Sequence, residues 1–201
     1  MEKEKDTYKT IRSTSQCHLT KMRSKFLGFA EPVKDLGEIK DFLLLYKKKY
    51  HDARHLCYAY ILGPQSDTTF SNDNGEPSGT AGRPILEQLR AYELTNTLLI
   101  VVRYFGGIKL GTSGLFSAYK TIAHDTLEQS EIITETVNKC CSISFEYPYL
   151  DKVLKIVNET EAKITAKDFQ MTCRMTLQIR LSLYEYIKNL LEKIPKLKIN
   201  E

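Results

Sequence analysis

The spacing of apolar residues changes several times along the chain, and each change predicts an element. Leu36, Ile39, Leu43, Tyr46 and Tyr50 fall at i, i+3, i+7, i+10 and i+14, which predicts an amphipathic helix. Before it, Tyr8 to Val33 has no helical period and alternates weakly around Ile11, Leu19 and Phe26 to Phe29, which predicts two strands. After it, Leu56 to Leu62 reads as a strand ended by Gly63-Pro64, and the polar segment from Gln65 to Asn74 as a loop or irregular hairpin end. Ile85, Leu89 and Tyr92 return to helical spacing, with Thr80 as the expected cap and Pro84 tolerated in a first turn whose amides have no partner inside the helix. Leu98 to Val102 is apolar without interruption and rich in β-branched residues, as expected of a strand buried on both faces. A second helix follows, with Phe116, Tyr119, Ala123 and Leu127 inward and Thr112 or Ser113 as its expected cap.

Glu131 to Val137 reads as one more strand or a connector, and the grammar then shifts. Cys141, Ile143, Phe145 and Tyr147 alternate with polar residues, Pro148 opens a helix carrying Leu150, Val153, Leu154 and Val157, and a strand is expected about Ile164. Met171, Cys173, Met175, Leu177, Ile179 and Leu181 alternate strictly with polar residues, the mark of a sheet with one dry face. Leu183, Ile187, Leu190 and Ile194 predict a last helix, with a short edge strand at 196–200. The expectation is an α+β protein of two domains, 1–136 and 137–201. The second has the order βαββα with a final strand, which fits a ferredoxin-like domain. Its open sheet face would show Ser142, Ser144, Thr172, Arg174 and Arg180, which favours backbone or protein contact over base stacking.

Composition narrows the classes. With 201 residues, 42% hydrophobic and 27% charged, the chain has enough material for two small cores. The net charge of +4 divides as 11 Lys+Arg against 8 Asp+Glu from Asn138 onward and 18 against 17 before it, too even for a strong non-specific nucleic-acid binder. Lys21, Arg23 and Lys25, and the Lys47 to Lys49 triplet, are local basic runs that also suit a solvated face or a helix C-terminus. Five cysteines without a C-x-x-C pair argue against a disulfide framework or structural zinc, and Cys57, Cys140, Cys141 and Cys173 read as core thiols. No secretory or membrane-spanning run is present, so the expected place is the cytoplasm.

Seven of the ten glycines lie between Phe70 and Gly114, at positions 75, 79, 82, 106, 107, 111 and 114. They precede the two helices of that stretch, where unpaired N–H groups and the positive dipole end favour an anion. Glycines there also serve as turn and packing devices, and neither G-x-x-x-x-G-K-[ST] nor G-x-G-x-x-G is present.

Within this stretch, Gly82-x-x-Ile85-Leu86-x-x-Leu89, then Leu94, then Ile100-Val101-x-Arg103-Tyr104-Phe105-Gly106-Gly107-x-x-Leu110-Gly111 resembles the signature of the IMPACT/YigZ family. Gly75-Glu-Pro-Ser-Gly-Thr-Ala-Gly-Arg-Pro84 and His55-Leu-Cys-Tyr-Ala-Tyr60 resemble its other two blocks, and the match covers essentially the whole chain. Two positions depart from the pattern: Asp73-Asn74 stands where paired aspartates are usual, and Leu56 where a polar residue is common. The resemblance implies a βαβ first domain like the second domain of a small-subunit ribosomal protein and domain IV of the translocating elongation factor. It implies a second domain like that factor's domain V. Translation is the implied setting. Eukaryotic members add an N-terminal partner-binding domain for which this chain has no room, so it resembles the shorter bacterial form.

Three classes of function follow. The leading expectation is a non-enzymatic protein that binds RNA or the ribosome and contacts phosphates through Gly79, Thr80, Gly82, Gly106, Gly107 and Gly111. Arg54, His55, Arg83, Arg103 and Lys109 would stand beside them. Each arginine also has a structural reading, Arg103 as a partner of Glu76 or Asp73. The second class is a nucleotide-using transferase or hydrolase on the same loops, with Asp73 and Glu76 as metal ligands and His55 with Cys57 or Ser78 as acid–base or nucleophilic groups. The third is a protein-interaction module using the open sheet face of the second domain. No cofactor, no resident metal and no membrane is expected.

Overall fold

The computed structural model describes residues 6–200 and divides them into two units, 8–135 and 136–200, the latter with residues 6 and 7. The first unit carries β1 (Thr7–Ile11), β2 (Ser15–Lys21), β3 (Ser24–Pro32), α1 (Leu36–Lys49), β4 (His55–Leu62), β5 (Thr68–Asn72), α2 (Gly82–Ala91), β6 (Thr97–Tyr104), α3 (Gly111–Glu128) and β7 (Ile132–Thr136). Five of its strands form one sheet in the order β2-β3-β6-β4-β5, and β1 pairs with β7 in a separate ribbon.

β6 is the middle strand and runs antiparallel to both neighbours, so β3-α1-β4 is a βαβ unit split by β6. Its uninterrupted apolar run has a direct cause. Leu99 and Val101 pack with Ile85, Leu89, Tyr119 and Ile122 of α2 and α3, while Leu98, Ile100 and Val102 pack with Ile39 and Tyr46 of α1. All five are fully buried, each contributing about 2 kcal/mol through the apolar area it removes from water. α1 starts where Asp35 Oδ1 accepts the amides of Gly37 at 2.7 Å and Glu38 at 3.0 Å, and it ends on the lysine triplet, which suits its negative pole.

The sequence expectations need correcting in several places. Tyr8 to Val33 holds three strands, because Met22 and Arg23 (φ +46° and +64°) make a two-residue turn between Lys21 and Ser24, where the twist of the hairpin requires positive φ. The expected loop before Asn74 contains edge strand β5. Thr80 does not cap α2, and neither Thr112 nor Ser113 caps α3; the N-cap residues are Ala81 and Leu110, with no side-chain cap bond at either. Cys140 is exposed.

The second unit runs β8 (Asn138–Phe145), a 3-10 turn (Tyr147–Tyr149), α4 (Leu150–Glu159), β9 (Lys163–Phe169), β10 (Cys173–Arg180), α5 (Leu181–Glu192) and β11 (Lys198–Asn200). The sheet order β11-β8-β10-β9 with every pairing antiparallel is the ferredoxin-like arrangement. Cys141, Ile143, Phe145, Cys173, Met175, Leu177 and Ile179 face the two helices, while Ser142, Ser144, Arg174 and Arg180 belong to the open face. Met171 leaves the expected apolar row: it sits in the β9–β10 turn, 97% exposed. Asp6 joins this unit because its carbonyl accepts the Val137 amide at 2.7 Å and its carboxylate pairs with Arg180 Nε at 2.7 Å.

Candidate functional site

One end of the first unit's sheet gathers most of the polar chemistry. Register puts His55, at the start of β4, beside Arg103, near the end of β6, and Arg103 beside Phe26 of β3. The loop between β5 and α2 adds Glu76, and the loop between β6 and α3 adds Phe105 and Lys109. The result is a cleft of about 470 Å³ lined by Arg54, His55, Glu76, Arg103, Phe105, Lys109, Gly111 and Thr112 among others.

The floor is a buried polar chain. Arg103, 4% exposed, donates from Nη1 to Glu76 Oε1 at 2.5 Å and from Nη2 to Ser24 Oγ at 3.3 Å, and its buried Nε has no hydrogen-bond partner. Its guanidinium carbon lies 5.5 Å from the ring centres of both Phe26 and Phe105. Glu76 also accepts the Tyr119 hydroxyl at 3.0 Å, and Cys57 Sγ lies 3.3 Å from the Tyr119 oxygen and 2.9 Å from the Asp73 carbonyl, its single S–H donating to one of the two at a time. Burial pushes the Cys57 thiol up to about 12 and the Tyr119 phenol up as well. His55 Nδ1 lies 3.0 Å from the Asn74 carbonyl, so that nitrogen carries the proton, and Nε2 stands 3.9 Å from Glu76 Oε1.

The two helix starts differ. At α2, one carboxylate takes the amides: Asp73 Oδ1 accepts from Ala81 at 2.9 Å and Gly82 at 2.8 Å, and Oδ2 accepts from Gly79 at 2.8 Å. Thr80 is buried and donates to the Pro77 carbonyl at 2.6 Å. Gly79, Thr80 and Gly82 therefore surround an internal anion and offer no seat to an external one. Gly82 is glycine for another reason, since a Cβ there would sit 2.7 Å from the Asn72 nitrogen in β5. At α3 there is no acidic residue in the first turn, and the exposed Gly111 sits in the left-handed region at φ +71°.

Of the residues singled out in the sequence, the cleft unites Arg54, His55, Arg103, Lys109 and Gly111. Arg54 and Lys109 are exposed and have no ion pair among the described residues; Arg54 lies 6.0 Å from the Phe105 ring centre. Arg103 is withdrawn into the floor and committed to Glu76. Arg83 lies outside, on α2, paired with Glu87 at 2.9 Å. Gly106 and Gly107 belong to the loop forming one wall; the Gly106 amide donates to Ser24 Oγ at 3.2 Å, and a Cβ there would meet the Arg23 backbone at 2.0 Å. Phe105, Tyr119 and Cys57 are parts of the site that sequence reading placed in a strand end or the core. Cys57 was a candidate beside His55 in the sequence, but the apolar neighbours of Tyr119 gave no sign that its hydroxyl links Cys57 to Glu76, nor those of Phe105 that its ring covers Arg103.

An antiparallel, split βαβ domain with a charged cleft at one sheet end, joined to a ferredoxin-like domain, defines a two-domain α+β class of protein. Residues 22–127 match the Impact N-terminal domain. The chain is 33% identical over 155 residues to IMPACT family member YvyE of Bacillus subtilis, covering 77% of this chain and 71% of that one. It is 33% identical over 151 residues to IMPACT family member YigZ of Escherichia coli, covering 74% of each. A crystal structure of a hypothetical protein aligns with a TM-score of 0.75 at 26% identity, over 98% of this chain and 97% of that one. The chain belongs to the IMPACT family.

Proposed function

We propose that this chain is a non-enzymatic RNA- or ribosome-associated protein acting in translational regulation, and that it touches the phosphate backbone at the α3 end of the cleft. One observation carries the reading: Arg54 and Lys109 stand exposed, with no ion pair among the described residues, beside an 18-residue helix whose N-terminus has no side-chain cap and no acidic residue in its first turn. Two cations beside free amides favour a phosphate and read no base sequence. Translation as the setting is what membership of the IMPACT family implies, through the resemblance of its two domains to a ribosomal protein and to elongation-factor domains IV and V.

The chemistry of the floor also supports a binding role. A thiol held near 12 is not a nucleophile at neutral pH, Asp73 spends both carboxylate oxygens on amides, and Glu76 spends Oε1 on Arg103 and Tyr119. No group of three or more potential ligands for a metal occurs among the described residues, and no helix there is long and apolar enough to cross a membrane.

The test is filter binding of the full chain to purified ribosomal RNA across a salt series. Arg54→Ala/Lys109→Ala should weaken binding about tenfold and flatten the slope of log K against log salt by roughly 1.4, two phosphates at about 0.7 each for single strands. Equal retention of RNA by the wild type and the double variant at every salt concentration would refute the assignment.

A further inference from the structure

The opposite face of the same sheet carries a second feature. Between α1 and the β4–β5 hairpin lies a groove of about 330 Å³ lined by Leu36, Leu43, Leu44, Tyr58, Tyr60 and Phe70, with Lys40 and Lys47 as its charged residues. Leu36 and Leu44 are each 57% exposed and Phe70 is 44% exposed. Three large apolar side chains standing out together are costly unless something covers them. Phe70 stacks on Tyr60 at 5.6 Å and lies 6.0 Å from Tyr58, so the aromatic wall is already ordered.

We propose that this groove binds an acidic, extended segment of a partner protein that inserts a large apolar side chain between α1 and Phe70. Charge selects the occupant. Lys40 and Lys47 have no ion pair among the described residues, and Lys48 and Lys49 continue the positive field at the end of the helix. A second copy docked symmetrically on this face would set lysine against lysine. A bilayer is met best by a broad, continuous apolar face, whereas this apolar patch is confined to a groove of about 330 Å³ flanked by Lys40 and Lys47. The extended form follows from β5, the terminal strand in the sheet order, whose outer edge offers backbone groups to a further strand. Such a strand would aim alternate side chains over the groove and leave its acidic residues near the lysines. The site lies on the α1 face, away from the cleft between Arg54 and α3.

The experiment selects a phage-displayed random peptide library on the full chain and measures the enriched peptide by fluorescence anisotropy. Enriched sequences should place Asp or Glu around Phe, Leu or Trp. Leu44→Ser and Phe70→Ser should each weaken binding about tenfold or more, as loss of a central apolar anchor does. Lys40→Glu/Lys47→Glu, which changes only exposed charges and keeps the wild-type circular dichroism, should shift the selection toward basic peptides. Absence of acidic, apolar enrichment would overturn the proposal, as would peptides that bind the variants as tightly as the wild type. Dimerisation abolished by Leu44→Ser, or binding of phosphatidylglycerol vesicles without peptide binding, would also overturn it, assigning the face to a second copy or to lipid.

Discussion

Arg103 tests whether the cleft floor is a scaffold or a ligand contact. In Arg103→Met the Glu76 carboxylate, whose side chain is 3% exposed, keeps the Tyr119 hydroxyl at 3.0 Å as its remaining hydrogen-bond donor. Removing one member of a buried, hydrogen-bonded pair costs about 3–5 kcal/mol, because the other charge stays desolvated without compensation. For a unit of this size, that lowers the melting temperature by roughly 10–20 °C. Methionine fits the apolar slot between Phe26 and Phe105, so lost packing is a small part of the cost. The double variant Arg103→Met/Glu76→Met removes the stranded charge and should return to within about 2 kcal/mol of the wild type. Urea unfolding of the three proteins at neutral pH, followed by far-UV circular dichroism, reads both numbers. A single variant within about 1 kcal/mol of the wild type, or a double variant no more stable than the single, refutes the scaffold reasoning.

Asp73→Ala strips three amides of their acceptor and should cost about 2–4 kcal/mol, with Asp73→Asn near half that. Thermal melts with and without sulfate add a second reading: the anion should stabilise the alanine variant more than the wild type, because it can enter the emptied seat. For Cys57, an unfolded thiol loses its proton near 9 while the folded one keeps it to about 12, so stability should fall as pH rises through that window, with Tyr119 adding the same sign. Urea midpoints measured against pH should decline less steeply in Cys57→Ala, and iodoacetamide at mildly alkaline pH should label exposed Cys140 and spare Cys57.

Elements with a strong period were legible in the sequence for physical reasons. α1 has a dry stripe, β6 is walled on both sides, and β8 and β10 each have one dry face; burial imposes a pattern in all four. β5 was missed because an edge strand with exposed threonines need not alternate. The Met22–Arg23 turn was missed because neither residue is one of the glycine, asparagine or aspartate residues that tolerate positive φ best. At the site, residue types pointed to the right end of the sheet but not to their roles. That Asp73 reaches forward six to nine residues to close α2, or that Arg103 turns inward to Glu76, is fixed by tertiary packing that spacing along the chain does not encode. Asn74, where paired aspartates are usual, sits at φ +42°, which asparagine tolerates, and meets His55 through its main-chain carbonyl.

The placement of β6 between β3 and β4 bears on synthesis. It is the last of the five sheet strands to be translated, yet it occupies the centre. Until Tyr104 has cleared the exit tunnel, the nascent chain holds two hairpins, each with a bare inner margin and no middle strand to seat on. Apolar surface on both hairpins stays open up to that point, and the arrival of eight further residues closes the sheet.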